Sequence, residues 1–446
     1  MRAERRNGDP PPPAESLGPH VALNLGEQLA KKRGTVVAVA PAETRGLARR
    51  IEDPSGTALD PFYEALLAAA LREPGAVARV AHWGDSTIAS DDITSTLRRR
   101  LQLRFGDAGH GFVLVSKGHL PYHHRNIRHW GRGWKLFQLI QGRRRDGRYG
   151  PGGVLFTSWG GARAFFGTAK SGEINRRVGS FEIFYQAHPK GGRMRIDLDG
   201  EKLEVLSTRH DRVEDRWREI AVDEGPHGLR VEALGGGQLR LYGVAMESSG
   251  PGVIYDSMGI VGARAWRMLN YDADHFARQV EHRDPDLLVL EFGGNETEDS
   301  NMTRGWYEKK LGEVVRMVRA GKPEAACLLL SPVDQGRRGP DGEIVTVPVL
   351  HRIVEAQRNV AAAEGCGFFD VFAAMGGEGA IGRWHEVEPK LAWGDHSHAT
   401  PEGFEVIGNM LYKALLQSFD DYLSREGLPV PGPPAPLGEC PYSGGT

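Results

Sequence analysis

Apolar positions along this chain change their period twice, and the changes divide it. Phe62, Leu66, Leu67, Ala70 and Leu71 recur at helical spacing. They predict a helix opened by Asp60-Pro61 and closed by Pro74-Gly75. An apolar run at residues 77–83 predicts a short buried strand that stops at the turn signal Gly84-Asp85. Ile93, Leu97, Leu101 and Leu103, on or near one inner face with Arg98 to Arg100 outward, then predict a second helix, capped by Asp91 or Asp92 and ending near Phe105-Gly106. From residue 118 to about 249 the helical period disappears. Alternating or aromatic runs at 153–158, 181–186, 194–198, 202–206, 229–233 and 239–246 replace it, separated by glycine-rich turns. Asp199-Gly200 between two such runs predicts a hairpin. The pattern is that of an all-β sandwich of jelly-roll type, too long for a loop and therefore an inserted domain. After residue 252 strands predicted at 253–255, 286–292, 325–331 and 367–371 alternate with helices at 263–270, 306–319, 349–363 and 401–418. Such alternation builds a parallel sheet covered on both faces.

The expected organisation is an N-terminal arm over residues 1–59, partly disordered, with a proline run at 9–13 and a short strand or docking segment at 35–40. An α/β domain follows in two parts, 60–117 and 251–427. The β-sandwich lies between them at 118–250, and a proline- and glycine-rich tail takes 428–446. At 446 residues, two domains plus tails is the natural division. A formal net charge of −2 gives no global pull toward nucleic acid or an anionic membrane. No apolar run reaches transmembrane length, and no signal-peptide core stands near Met1. Cys327, Cys366 and Cys440 show no metal-type spacing and indicate no disulfide framework, so Cys327, in an apolar run, reads as a buried thiol.

The chemistry gathers at strand ends. Ser86 stands at the corner between the strand ending near Gly84 and the next helical segment, where α/β proteins place reactive groups. A serine hydroxyl needs a base, and the base needs an orienting group. Asp395-His396-Ser397-His398 lies in a loop before the last helix; at a spacing of three, Asp395 can bond His398 Nδ1 and leave Nε2 for Ser86. His385-Glu386 is a second histidine-carboxylate pair in a poorer turn context. Donors for a developing oxyanion are available at Asn295, after the predicted strand at 286–292, at the bare backbone of Gly262, and at the Ser86 N–H.

Taken in order, these residues resemble the SGNH (GDSL-type) hydrolase superfamily. Gly84-Asp85-Ser86 resembles its first block, Gly262 the glycine of its second, Gly293-x-Asn295 its third and Asp395-x-x-His398 its last. The resemblance implies a flavodoxin-like three-layer α/β/α domain. It also implies a nucleophile at Ser86, a general base at His398, an orienting carboxylate at Asp395, and oxyanion donors at Ser86, Gly262 and Asn295. Glu296 stands where many members have Asp, Thr87 follows the serine where His or Leu is frequent, and Gly259 competes with Gly262 for the second block. No Gly-x-Ser-x-Gly elbow is present, which argues against the classical α/β-hydrolase fold.

The inserted sandwich, similar to a carbohydrate-binding module, narrows the resemblance to bacterial peptidoglycan O-acetylesterases and related O-acetyl-transferring enzymes. It implies a serine esterase acting on O-acyl, foremost O-acetyl, groups of a carbohydrate, without a cofactor, in the periplasm or outside the cell. The alternatives are an acetyltransferase of the same fold and a non-catalytic carbohydrate-binding protein. Trp130 and Trp134, among Arg125, Arg128 and Arg132, are candidate glycan-stacking residues. His119, His123, His124 and His129 lack the spacing of a metal site, and none is assigned. Arg143-Arg144-Arg145 reads as a solvated loop.

Overall fold

The computed structural model describes residues 39–118, 122–144 and 146–428. Cys440, His119, Arg145, residues 429–446 of the tail and residues 35–38 of the segment at 35–40 lie outside the described residues. Strands β1 (Val77–Gly84), β2 (Gly252–Gly259), β3 (Leu287–Glu291), β4 (Ala326–Leu330) and β5 (Gly367–Phe369) form one parallel sheet, ordered β2-β1-β3-β4-β5. This is the flavodoxin-like order, and it puts the topological switch point between β1 and β3. β3 and β4 are buried at every position, which is why they read as continuous apolar runs.

Strand alternation sorts the side chains into two cores. Ala78 and Val80 of β1 pack with helices α1 (Asp60–Ala70) and α2 (Asp92–Phe105). The expected facing of α2 is corrected at two positions: Leu103 is exposed, and Arg98 is fully buried because Asp91 pairs with it. Ala81 and Trp83 point to the other face, toward helices α3 (Ala273–Arg283), α4 (Arg304–Arg319) and α5 (Val349–Ala363). The C-terminal helix α6 (Pro401–Arg425) joins α1 and α2 through Phe404, Leu411 and Phe419. The expected helix at 263–270 is a 3₁₀ segment, Ala265–Asn270. Residues from the expected N-terminal arm reach the sheet: Glu52 pairs antiparallel with Phe368 of β5 through two backbone bonds of 2.8 Å.

The chain leaves α2 directly into a second architecture. Strand Gly109–Leu114, ahead of residue 118, already pairs with Leu239–Glu247. Around the latter, Glu214–Gly225, Val178–Ala187, Val154–Ser158 and Lys135–Gln138 complete one antiparallel sheet. The other sheet runs Ile127–Arg132, Arg163–Thr168, Gly228–Gly235, Arg193–Leu198, Glu201–Ser207. The Asp199-Gly200 hairpin is present, with both residues at positive φ (53° and 95°), as a two-residue primed turn demands. The sandwich shares its core with the α3–α5 face of the parallel sheet, and Trp83 of β1 donates to Pro151 O at 2.8 Å.

The expectation of an unpaired Cys327 is corrected. Cys327 is disulfide-bonded to Cys366, their Cα atoms 4.6 Å apart. The cause is topological: β4 and β5 are parallel neighbours with Leu328 opposite Gly367, so the preceding residues lie side by side. A sequence separation of 39 gives no hint of that adjacency.

A buried ion network joins the two architectures. Arg283 of α3 donates to Asp256 of β2 at 2.8 and 3.0 Å and to Glu247 of the sandwich at 2.7 Å, and Arg79 of β1 holds Glu247 through two bonds of 2.8 Å. Burial opposes ionisation of Glu247, yet Arg283 and Arg79 outweigh it and lower its pKa to about 2. A depressed carboxylate contributes stability that is present above its unfolded pKa and lost as pH falls toward the folded value. Glu247→Gln is therefore expected to lower Tm at neutral pH, with the gap to wild type narrowing in acid below roughly pH 4. Thermal unfolding of both proteins across that range checks this; a gap that does not change with pH contradicts it.

Candidate active site

Ser86 begins a four-residue helix, Ser86–Ala89, at the carboxyl end of β1. Two glycines let that helix settle onto the strand ends. A Cβ at Gly84 would lie 2.4 Å from Ile88 Cγ1, and one at Gly259, opposite Gly84 on β2, would lie 2.1 Å from Ala89 N. Asp85 caps the helix: its Oδ1 accepts from Thr87 N and Thr87 Oγ1, both at 3.0 Å. Thr87 Oγ1 also bonds Glu291 Oε1, the last residue of β3, at 3.0 Å. The Ser86 corner is thus tied to the strand across the switch point.

After β3 the chain turns through Phe292-Gly293-Gly294 and presents Asn295. Its Nδ2 donates to Asp85 Oδ2 at 3.2 Å and to Ala263 O at 3.0 Å. A substrate oxygen would compete for the longer of these two bonds. Glu296 fixes the same junction from below, accepting from Ala265 N at 2.7 Å and Gly293 N at 3.1 Å. Burial pushes Glu296 up to about 8 and Asp85 up to about 6, each against a backbone N–H bond that favours the charged form.

Asp395 and His398 come from the loop before α6. Asp395 Oδ2 lies 2.8 Å from His398 Nδ1, while Oδ1 accepts from Ser397 N and His398 N at 3.0 and 3.1 Å. Burial opposes the charge, but these bonds hold the Asp395 carboxyl below the usual carboxylate range. An Nδ1–H donated to Asp395 leaves Nε2 as the free basic nitrogen. The loop is anchored by Gly336 N, which donates to His396 O at 2.8 Å.

Ser86, Asn295 and His398 line one cavity of about 320 Å³, together with Pro332, Val333 and Gln335. Among the described residues no hydrogen bond joins Ser86 to His398, and catalytic contacts of this kind commonly tighten only when substrate binds. Gly262 occupies a left-handed turn (φ 77°) one residue before Ala263, whose carbonyl holds Asn295, but it does not line the cavity. His385 is engaged by Ala392 O and Lys390 and does not line the cavity. Trp130 is exposed on the sandwich, Trp134 packs half-buried with its N–H on Arg163 O, and neither reaches the cavity.

Sequence reasoning missed the supporting residues Glu291, Thr297 and Gln335. Gln335 bonds Gly294 O at 3.1 Å and Thr297 Oγ1 at 2.5 Å, bracing the Asn295 turn. Only Glu291, a charge closing an apolar strand, carried a signal.

One donor cluster bears on metal binding. Asp91, His110 and His124 have ligand atoms within 4.8 Å of one another. His110 Nε2 and His124 Nδ1 are hydrogen-bonded at 2.7 Å, and Arg98 occupies both Asp91 oxygens at 2.8 and 3.1 Å. Two nitrogens on one tetrahedral ion stand about 3.3 Å apart, and a guanidinium in contact repels a cation. This donor set fits a buried hydrogen-bond chain rather than a metal.

The GDSL-like Lipase/Acylhydrolase family matches residues 227–406. That span holds Gly262, Asn295, Asp395 and His398; Ser86 falls outside it, separated in sequence by the sandwich. Among solved structures, a peptidoglycan O-acetylesterase is similar over 83% of this chain and 99% of its own, with a TM-score of 0.70 and 22% identity. It shares the fold. A carbohydrate esterase family 2 enzyme with a carbohydrate binding domain from Corynascus thermopiles (Myceliophthora fergusii) overlaps 64% of this chain and 99% of its own (12% identity, TM-score 0.29). A family two carbohydrate esterase from Clostridium thermocellum overlaps 66% and 100% (10% identity, TM-score 0.27). No curated protein matches the chain. No helix among the described residues is long and apolar enough to cross a membrane.

Proposed function

We propose that this chain, a carboxylic ester hydrolase carrying a GDSL-like acylhydrolase domain, removes O-acyl groups, foremost O-acetyl, from a carbohydrate such as peptidoglycan or another bacterial polysaccharide. The observation that carries the reading is convergence. A serine, an asparagine amide and a carboxylate-oriented histidine, from three segments far apart in the sequence, face one small cavity at the switch point.

In this reading Ser86 Oγ attacks the ester carbonyl carbon as its proton passes to His398 Nε2. The carbonyl oxygen gains the charge and is met by the Asn295 amide and by the Ser86 N–H, both at the cavity. Collapse breaks the ester bond, and the leaving sugar oxygen takes the proton from His398. Water then attacks acyl-Ser86 with His398 as base, releasing acetate and restoring the hydroxyl. The His398 side chain is 48% exposed, which supports water as the acceptor. The small cavity, walled by Phe292, Pro332, Val333 and Val347, suits an acetyl group better than a long acyl chain. The Cys327–Cys366 disulfide supports an oxidising compartment, in keeping with a periplasmic or extracellular glycan.

The test is acetate release from O-acetylated peptidoglycan and from acetylated xylan, beside turnover of p-nitrophenyl acetate and p-nitrophenyl octanoate. Acetate from at least one glycan, with octanoate the poorer ester, is the expected result. Turnover of octanoate alone overturns the assignment.

A further inference from the structure

The outer face of the sandwich carries a row of stacked rings and guanidinium groups. Trp130, on the edge strand Ile127–Arg132, lies opposite Phe165 on the next strand; the rings are stacked at 6.1 Å and 16°. Arg132 sits 5.5 Å from the Trp130 ring and Arg128 5.3 Å from the Phe165 ring, closing the row at both ends. Phe165 lies flat because two glycines lie beneath it. A Cβ at Gly167 or Gly228 would come within 2.8 or 2.9 Å of its ring. Trp130 remains 40% exposed, large for an aromatic side chain.

Arg128 also lines a cleft of about 1080 Å³, with Lys170, Arg176, Arg177, Asp107, Glu173 and Glu224. The carboxylates are engaged: Asp107 by Asn175 N and Gly109 N, Glu173 by Arg99, Glu224 by Ser248 and Ser249. Lys170 and Arg176, both exposed, have no ion pair among the described residues. The cleft shares no lining residue with the Ser86 cavity.

We infer that this platform and cleft bind a carbohydrate polymer bearing carboxylates. Flat rings present apolar area to the faces of sugar rings. The uncompensated Lys170 and Arg176 meet the carboxylates. The choice of a carbohydrate rests on the ester-hydrolase reading above; the surface itself does not.

The experiment is affinity electrophoresis and calorimetry with polygalacturonate, neutral dextran and a poly(dT) oligonucleotide. The proteins are wild type, Trp130→Ala, the double variant Lys170→Gln/Arg176→Gln, and Ser86→Ala. Polygalacturonate is expected to retard wild type and Ser86→Ala alike, and dextran neither. Trp130→Ala and the double variant are each expected to weaken binding about tenfold, the double variant also flattening the salt dependence. Turnover of p-nitrophenyl acetate is unchanged in both. Equal retardation by dextran, no retardation, unchanged binding in both variants, or tighter binding of poly(dT) overturns the inference. Binding by a wild-type protein that hydrolyses no ester leaves this surface standing and removes the esterase reading; hydrolysis without binding does the reverse.

Discussion

Ser86→Ala is expected to lower kcat on p-nitrophenyl acetate by a factor on the order of 10⁶, as loss of a nucleophile does in other serine hydrolases. The substitution removes one oxygen from a half-buried residue that begins a helix capped by its neighbour Asp85, not by itself. Stability should therefore change by no more than about 0.5 kcal/mol, and unfolding measured beside the kinetics separates lost chemistry from lost fold. His398→Ala should cost nearly as much, because a hydroxyl without a base is as inert as no hydroxyl. Asp395→Asn should cost less in stability than in rate. The bond to His398 Nδ1 would survive, but an amide can hold the ring in the wrong tautomer. A Ser86→Ala protein with wild-type turnover would remove the serine mechanism altogether.

What the sequence made legible, and what it hid, follows from how local each signal is. β3 and β4 are short, apolar and bounded by turn residues, so they could be read directly. Strand Glu214–Gly225 could not: it is charged on both faces and exposed or half-buried at all but one position, and it holds its place by pairing with Val178–Ala187. Strand Gly109–Leu114 was hidden by its two glycines. A side chain at Gly111 would strike Asp256 Oδ1 at 2.2 Å, so that residue serves close packing rather than strand propensity. The Ser86, Asn295 and Asp395–His398 segments were readable because each lies at an element boundary with its own turn chemistry. The residues that brace them were not. Glu296 and Gln335 act on backbone groups of other loops, and those contacts exist only after folding. The disulfide belongs to the same class of long-range facts.

The largest expected loss of stability comes from a charge placed where no water reaches it. Arg98 of α2 is fully buried and binds Asp91, itself fully buried, through two guanidinium bonds, while its Nε donates to Tyr255 O at 3.2 Å. Asp91 turns the chain between the Ser86 helix and α2 at a φ of 57°, and its carboxylate also accepts from Thr94 Oγ1 at 2.6 Å and Arg125 N at 2.8 Å. Burial alone would raise the Asp91 pKa; Arg98 outweighs it and holds the group below its ordinary value. Arg98→Met keeps much of the volume and removes the charge, leaving Asp91 buried without its counter-ion. Breaking one side of a buried pair costs about 3–5 kcal/mol, and urea unfolding at neutral pH should show a loss of that order. The pH dependence identifies the cause. In wild type the Asp91 contribution is present above the unfolded carboxylate pKa and lost as pH falls through the folded one. In Arg98→Met burial is less opposed, the folded pKa rises, and the variant instead loses stability as pH climbs past the unfolded value. The gap between the two proteins must therefore widen from acid toward neutral pH and then level off. Adding Asp91→Asn to Arg98→Met should recover part of the loss, since the stranded charge is gone. A gap independent of pH, or a double variant no more stable than the single, would mean that the cost is a packing defect and that Asp91 finds another partner.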